Sequence, residues 1–499
     1  MNLLFRADAS VAIGTGHVMR CLALAQAWQD AGGRAVFAMA ETTPAIQARL
    51  AAESCEVLAV SCAAGTADDA QLTVALARER QAEWVVVDGY QFTADYQRAL
   101  KAAGFKILFL DDYGHARHYS ADLVLNQNVC ASEALYADRE PGIRLLLGPR
   151  YSLLRREFAA WRDWKREVSP QGRRVLVTMG GSDPENLTAR VFEALGLIKL
   201  DVEAIVVLGG SRPHAELPKR QSVQREKKIS VLSDVTNIAE IMAWADVAVS
   251  SAGTTCWELC LLALPALLVD VAENQTAVAR ELGRLNCAIH LGGPRDFTAE
   301  QLADQLESLL KSGETRRAVS VSCRELVDGR GALRVASAMR AGLRLRPARE
   351  DDSRLLWDWA NDPQVRGTAF SSAPIPWEQH QAWFASKMKD PDCRILVAED
   401  EQGKAVGQFR VDWRSDRDGE IDVSVSSAFR GAGYGSLLIE LGVSTVFAER
   451  GDRLHAFVKS ENQASRRAFE RAGFASLGEE SVQGQRAIHY IRTKEFDQA

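Results

Sequence analysis

The chain lacks the features that mark secreted, membrane, metal-binding or nucleic-acid-binding proteins. Its nine cysteines are odd in number, scattered and free of CxxC spacing, which argues against a disulfide framework or a zinc site. Cys256 and Cys260, one helical turn apart in an apolar run, read as core packing, and no metal is expected. Basic charge is not in excess: 60 Lys and Arg against 66 Asp and Glu leave a formal charge of −6. No basic face therefore advertises nucleic acid or an anionic membrane, and anions must be held by local sites. No apolar run approaches membrane-spanning length. The start MNLLFRADAS has neither the basic opening nor the long apolar stretch of a signal peptide. Short-period repeats and low-complexity tracts are absent too. The expectation is a soluble, cytoplasmic protein acting on small molecules.

What is present is ample core. Hydrophobic residues fill 47% of the 499 positions, enough for about three domains at roughly 150 residues each. Over residues 1–155 apolar runs alternate with helical stretches: LLFRA, RAVFAMA, EWVVVDGY, KILFLDDY and ADLVLNQN. That pattern predicts a parallel sheet covered on both faces, with ligands beyond the carboxyl ends of its strands. Candidate substrate-binding residues fall there: Asp8 after the first run, Asp88 and Tyr90 after VVV, Asp112 after ILFL. His17 is the most informative. It follows the turn Gly14-Thr15-Gly16 and precedes Val18, Cys21, Leu22 and Leu24, the apolar side of a helix. A histidine in a first helical turn meets the positive end of the helix, which disfavours imidazolium and suits a general base. Arg20, in the same motif, joins the substrate-binding candidates.

LLRREFAAWRDWKREV reads as a polar helix, after which the alternation restarts, so residues 156–338 form a second α/β unit. Three of its features suit a nucleoside diphosphate. Gly180-Gly181-Ser182 ends a strand and precedes a helix, offering free N–H groups. Gly253 and Thr254, in the turn SSAGTT, open the helix TTCWELCLL. Glu258 lies one turn into that helix, where a carboxylate can grip two ribose hydroxyls, and Asn274 and Gln275 follow the next strand. A single glycine turn equally lets helix and strand pack closely; three at one sheet edge favour a ligand.

Residues 343–499 change character, with successive strands RILVAED and AVGQFRVDW, and Arg334 to Ala341 reads as helix end plus linker. Between the strand ending at Val425 and an apolar helix lies Arg430-Gly431-Ala432-Gly433-Tyr434-Gly435, followed by Ser436. Successive N–H groups at a helix start, with glycines removing Cβ atoms, form a pyrophosphate cradle. A dinucleotide fingerprint would need G-x-G-x-x-G and an acid about 20 residues on, and neither fits. Glu420, Asp422 and Ser424 alternate onto one face of the strand before the loop. They form a solvated polar face or, for Glu420, a catalytic base.

Residues 1 to about 335 resemble the UDP-sugar hydrolases of pseudaminic acid biosynthesis, relatives in fold of GT-B glycosyltransferases. The motifs are RADAS, IGTGHVMRC, VVVDGY, LDDYGH, ADLVLNQN, GPRYSLLRREF, TMGGSDPENLT and SSAGTTCWELCLLALPALLVDVAENQ, in order. The resemblance implies inverting hydrolysis of UDP-2,4-diacetamido-2,4,6-trideoxy-β-L-altropyranose to the free sugar and UDP. It makes His17 catalytic and sets the Glu258 and Gln275 regions on uridine and ribose. Residues 343 to 493 resemble the GCN5-related N-acetyltransferase superfamily through the R-x-x-G-x-G loop and VKSENQASRRAFERAGF. This implies acetyl-CoA as co-substrate, bound by Val425, Arg430, Gly431, Gly433, Tyr434, Gly435, Ser436 and Asn462. Seven residues after Asn462, where many members carry a tyrosine that protonates the departing thiolate, stands Phe469. Tyr434, Tyr490, a water or solvent is left for that role. Trp359 to Asp362, Arg366 and His380-x-x-Trp383-Phe384 resemble the subfamily that acetylates amino sugars and protein N-termini, and equally suit helix packing.

The expected fold is α/β: a GT-B-like pair of doubly wound units followed by a GCN5-related N-acetyltransferase domain. The expected enzyme is bifunctional. It acetylates the 4-amino group of UDP-4-amino-4,6-dideoxy-β-L-AltNAc and hydrolyses the diacetamido product. The alternatives are a GT-B glycosyltransferase fused to an acetyltransferase of another amino sugar or a protein amine, and a nucleotide-sugar-binding regulator with a degenerate transferase.

Overall fold

Runs of valine, leucine and phenylalanine covered on both faces build the first sheet. Its strands are β1 (Asn2–Ala7), β2 (Arg34–Met39), β3 (Glu56–Ala59), β4 (Ala82–Asp88), β5 (Lys106–Leu110), β6 (Leu123–Asn126) and β7 (Arg144–Leu147). They lie in the order β3-β2-β1-β4-β5-β6-β7, every pairing parallel. Leu3, Leu4 and Phe5 of β1 and Val85, Val86 and Val87 of β4 are fully buried, as an all-parallel sheet requires. The computed structural model describes residues 2–494 except 11–12, 181–182, 184–185, 210–227, 234, 341–342, 401–402 and 431–433.

The second sheet repeats the plan with β8 (Arg174–Thr178), β9 (Glu203–Leu208), β10 (Lys228–Ser233), β11 (Val247–Ser251), β12 (Ala266–Val269) and β13 (Ile289–His290). Its order is β10-β9-β8-β11-β12-β13, again parallel throughout. Chain order reverses between β1 and β4 and between β8 and β11. Such switch points open a crevice beyond the strand ends. Trp257, 1% exposed, packs with Leu176, Ala248 and Phe158 in the core beneath this sheet. Burying roughly 200 Å² of indole at ~25 cal/mol per Å² stabilises by about 5 kcal/mol, which anchors the helix Thr255–Leu261 and with it Glu258.

The polar helix expected from Leu153 to Val168 does not form. Only a 3₁₀ turn at Arg156–Trp161 is present. Tertiary hydrogen bonds override the local pattern: Arg162 donates to the Gly329 carbonyl at 3.0 Å, and Arg166 donates to the carbonyls of Leu262 at 2.9 Å and Met242 at 2.7 Å. Burial outweighs the attraction of Asp246 and pulls the Arg166 guanidinium down to about 10. The stretch expected to be helix end plus linker is helical over Gly331–Arg340.

The chain divides into two units, Met1–Val335 and Ala336–Ala499. The second holds one mixed sheet of β14 (Arg344–Pro347), β15 (Cys393–Glu399), β16 (Ala405–Trp413), β17 (Asp418–Val425), β18 (Arg453–Lys459), β19 (Ala475–Val482) and β20 (Gln485–Thr493). Its order is β14-β15-β16-β17-β18-β20-β19. All neighbours are antiparallel except β17 and β18, which run parallel and pair only at Asp418–Arg453, Gly419–Leu454 and Glu420–His455. Beyond Glu420 each strand keeps its outer partner while the two part, so the sheet splits into a wedge. Among the described residues no helix is long and apolar enough to cross a membrane.

Candidate active sites

The helix Gly16–Asp30 follows β1 after residues 8–15, and His17 stands in its first turn. His17 Nδ1 lies 2.6 Å from Asp88 Oδ1 at the end of β4. An ionised carboxylate only accepts, so Nδ1 carries the hydrogen and Nε2 is the basic atom. Arg20, one turn along the helix, donates from Nε to Asp88 Oδ2 at 2.7 Å and from Nη2 to Oδ1 at 2.6 Å. Its Nη1 donates to Asp112 Oδ1 at 2.7 Å. Burial pushes the Asp88 carboxyl up, but Arg20 and then His17 outweigh burial and hold it well below the usual carboxylate range. Asp112 is lowered in the same way, Arg20 again overcoming burial. Asp112 also accepts from the Tyr90 hydroxyl at 2.6 Å and from Asn128 Nδ2 at 3.0 Å. The Tyr90 ring stands edge-on to His17 with centroids 5.0 Å apart. His17 is thus held from two sides by a charge-paired frame.

Asp8 departs from expectation. It is 2% exposed, its Oδ1 accepts from the backbone N–H groups of Ala40 at 2.6 Å and Glu41 at 3.1 Å, and Arg6 pairs with it at 2.7 Å. It braces the loops after β1 and β2 instead of standing open to a ligand, because Arg6, itself buried, demands a counter-ion.

The nucleotide-side candidates converge on the second switch point. Gly180, at φ +78°, is so placed that a Cβ would lie 3.4 Å from Ser251 Oγ, and a Cβ on Gly253 would lie 3.7 Å from Gln275 Nε2. Gly181 and Ser182 lie outside the described residues. The two halves face each other here: a Cβ on Gly16 would be 3.6 Å from Thr254 Oγ1, and Asn274 Nδ2 donates to the Tyr90 hydroxyl at 2.7 Å. Gln275 Oε1 accepts from the Val271 N–H at 3.1 Å. Glu258 is paired with Arg155, Nη2 to Oε1 2.8 Å. Among the described residues no cluster of three or more His, Cys, Asp or Glu is arranged to hold a metal ion.

In the second unit the glycine loop falls between the end of β17 and the helix Tyr434–Glu449; Gly431 and Gly433 lie outside the described residues. Gly435 faces Ala468 and Val425, where a Cβ would lie in ordinary contact with Ala468 Cβ at 3.7 Å and Val425 Cγ2 at 4.0 Å. Ser436 is buried beside it. Two expected cofactor contacts are engaged within the protein. The Arg430 guanidinium donates to the Val425 carbonyl and to Asp362 Oδ1, each at 2.9 Å, bracing the loop. Asn462 caps the helix Gln463–Arg471 by accepting from the Ser465 N–H at 3.1 Å. Phe469 is core, 7% exposed and stacked 6.0 Å from Tyr490. Tyr490 is itself fully buried, with its hydroxyl donating to Glu470 at 2.8 Å. Glu420 sits at the last paired position of the wedge opposite His455 and forms an exposed ion pair with Arg414.

Sequence reasoning missed a polar chain across this sheet. His455 Nε2 lies 3.3 Å from Asp418 Oδ1, its Nδ1 lies 2.9 Å from His489 Nε2, and His489 Nδ1 lies 2.8 Å from Glu480 Oε1. Burial, and then the neighbouring His489, pull His455 below the usual imidazole range against Asp418. The two histidines come from β18 and β20, and no spacing in the sequence announces that pairing. Arg155 was missed as well, because it fell within a stretch that reads as a polar helix.

These features define the class: a GT-B-like pair of Rossmann-type units joined to an acetyltransferase (GNAT) fold in one chain. Residues 174–324 match the Glycosyltransferase family 28 C-terminal domain, and residues 342–475 match the Acetyltransferase (GNAT) domain. An uncharacterized protein of Methanocaldococcus jannaschii is 23% identical over 495 residues, 95% of this chain and 96% of that protein, so the likeness runs through both units. The chain is homologous to the UDP-2,4-diacetamido-2,4,6-trideoxy-beta-L-altropyranose hydrolase of Campylobacter jejuni, 27% identical over 57% of this chain and 97% of that enzyme. The spore coat polysaccharide biosynthesis protein SpsG of Bacillus subtilis is 27% identical over 47% of this chain and 68% of its own length.

Proposed function

We propose that the chain acetylates the 4-amino group of UDP-4-amino-4,6-dideoxy-β-L-AltNAc and hydrolyses the resulting UDP-2,4-diacetamido sugar, consecutive steps toward pseudaminic acid. The observation that carries the hydrolytic half is the His17–Asp88–Arg20 frame at the switch point of the first sheet, facing the glycine turns of the second. Asp88 keeps the hydrogen on Nδ1, so His17 Nε2 takes a proton from water as its oxygen bonds to the anomeric carbon. The bond from that carbon to the diphosphate oxygen breaks, and UDP leaves with the electron pair. Arg20 and Asp112 keep the histidine and Tyr90 in register, which is where positioning lowers the barrier.

The acetylating half is supported by the domain match and by the wedge between β17 and β18. Strand edges that have lost their partner offer N–H and C=O groups to an extended, amide-bearing chain, such as the pantetheine arm of acetyl-CoA. The amine nitrogen bonds to the thioester carbonyl carbon as its proton passes to Glu420 at the apex, and the carbon–sulfur bond breaks with its electron pair leaving on CoA as thiolate, which takes a proton from solvent. An exposed ion pair with Arg414 is weak in water, so it leaves that carboxylate available. The match to a glycosyltransferase family favours, as second reading, transfer to an acceptor hydroxyl in place of water.

The test is to incubate the purified chain with acetyl-CoA and the 4-amino UDP-sugar while following CoA and UDP. CoA release should precede UDP release, with no sugar acceptor required. In His17→Ala, CoA release should persist and UDP release should fall about 10²–10⁴-fold, the range for a lost acid–base group. UDP release within a few-fold of the parent, or dependent on an added acceptor, overturns the hydrolase reading.

A further inference from the structure

Arg155 belongs to the segment between the two sheets, at the N-cap of the 3₁₀ turn Arg156–Trp161. Its Nη2 reaches Glu258 Oε1 at 2.8 Å and Glu157 Oε1 at 3.3 Å. Glu157 in turn accepts from Arg49 Nη2 at 2.7 Å, and Arg49 lies on the helix Pro44–Ala52 of the first half. Positive and negative groups thus alternate from the first half to Glu258 in the second. The Arg155 guanidinium also lies over the ring of buried Phe158, 5.5 Å from its centroid, which fixes its direction. All four side chains of this chain of charges are largely withdrawn from solvent, where ion pairs are screened least.

A carboxylate grips a vicinal diol by accepting two hydroxyl hydrogens; once protonated it has lost part of that accepting capacity. Among the described residues the charged groups facing Glu258 are Arg155 and Glu157, with Arg49 behind Glu157. Cys256 on its own helix stays a neutral thiol, pushed up to about 12 by burial. Burial pushes Glu258 up to about 7, Arg155 pulls it down and Glu157 pushes it up. Arginine is never the group that titrates here.

We propose that Arg155 is a positioning residue for nucleotide recognition: it aims Glu258 and favours its ionised form, and so sets the pH range over which the first unit binds a ribonucleotide. The proposal rests on the reading of Glu258 as the ribose-gripping carboxylate. Arg155 acts through Glu258 and touches no ligand itself.

The test compares the affinities of UDP and 2′,3′-dideoxy-UDP for the full chain from pH 6 to pH 8.5, by calorimetry. The ratio isolates the ribose hydroxyls, because titration of the diphosphate is common to both probes. With Glu258 near 7, its ionised fraction drops roughly tenfold between pH 8 and pH 6, and the ratio should drop about as much. In Arg155→Met the ratio at pH 8 should already be reduced about tenfold, its fall having moved to higher pH. Arg155→Lys, which keeps charge but loses the planar fork, should place the midpoint between the two. A profile in Arg155→Met that superimposes on the parent overturns the proposal. Should that variant not fold, an unmoved midpoint in Arg155→Lys overturns it. A parent ratio near one at every pH refutes the ribose reading of Glu258 instead.

Discussion

Replacing Asp88 by asparagine separates the chemistry of His17 from the shape of its site. The amide is isosteric, but its NH₂ can donate to His17 Nδ1, which then accepts and leaves its hydrogen on Nε2. That is the wrong tautomer for a base. Hydrolysis of the diacetamido UDP-sugar should fall about 10²–10⁴-fold, equivalent to ~3–5 kcal/mol of barrier. UDP affinity should change by less than about threefold, since uniform binding is untouched. Stability should fall too. Asp88 takes two charged hydrogen bonds from Arg20, and losing one partner of a buried pair costs about 3–5 kcal/mol. Arg20 keeps Asp112, which reduces the loss to about 2–3 kcal/mol. The pH dependence has a definite sign. Burial raises Asp88 but Arg20 and His17 outweigh it, so its folded value lies below the unfolded one of about 3.9. The stability it contributes is therefore present above about pH 4 and lost as the pH falls through the folded value. Urea midpoints of parent and variant should be well separated at pH 7 and draw together below about pH 4. Turnover within a few-fold of the parent, with folding intact, would refute the assignment of His17 as an oriented base.

Glu258→Ala should weaken UDP-sugar binding more than turnover, because a ribose contact contributes equally to ground and transition states; a fall in kcat at unchanged KM in steady-state kinetics would assign Glu258 another role. Gly433→Val sets a branched side chain in the proposed pyrophosphate loop and should abolish acetyl transfer while hydrolysis of pre-acetylated substrate continues. A chain ending after Arg340, which keeps the helix Gly331–Arg340, should likewise retain hydrolysis. If it folds but is inactive on pre-acetylated substrate, the two activities share a site.

The interior strands were legible because burial on both faces writes itself as an apolar run. EWVVVDGY and KILFLDDY announce β4 and β5 without any tertiary information. The marginal strands β3, β7, β14 and β19 were not, since each ends its sheet and carries few fully buried positions. His17 was legible for a different reason: a turn of small residues at a helix start constrains where a side chain can go. So were Asp88 and Asp112, which follow from strand ends lining one edge of a parallel sheet. What each carboxylate does was decided by folding alone. Asp88 ends β4 opposite Ala7 and Asp8 stands one residue beyond that pair, yet Asp8 is claimed by Arg6 and two backbone N–H groups while Asp88 is shared by His17 and Arg20. Partners so far apart in the chain cannot be read from local spacing. The same holds for Glu258, whose meeting with Arg155 spans 103 residues, and for His455 and His489, joined only by the register of β18 against β20. Local pattern determined the interior strands and where their polar ends lie. The pairing of charges across those ends is a property of packing, because an ion pair depends on a few ångströms that only the assembled sheets supply.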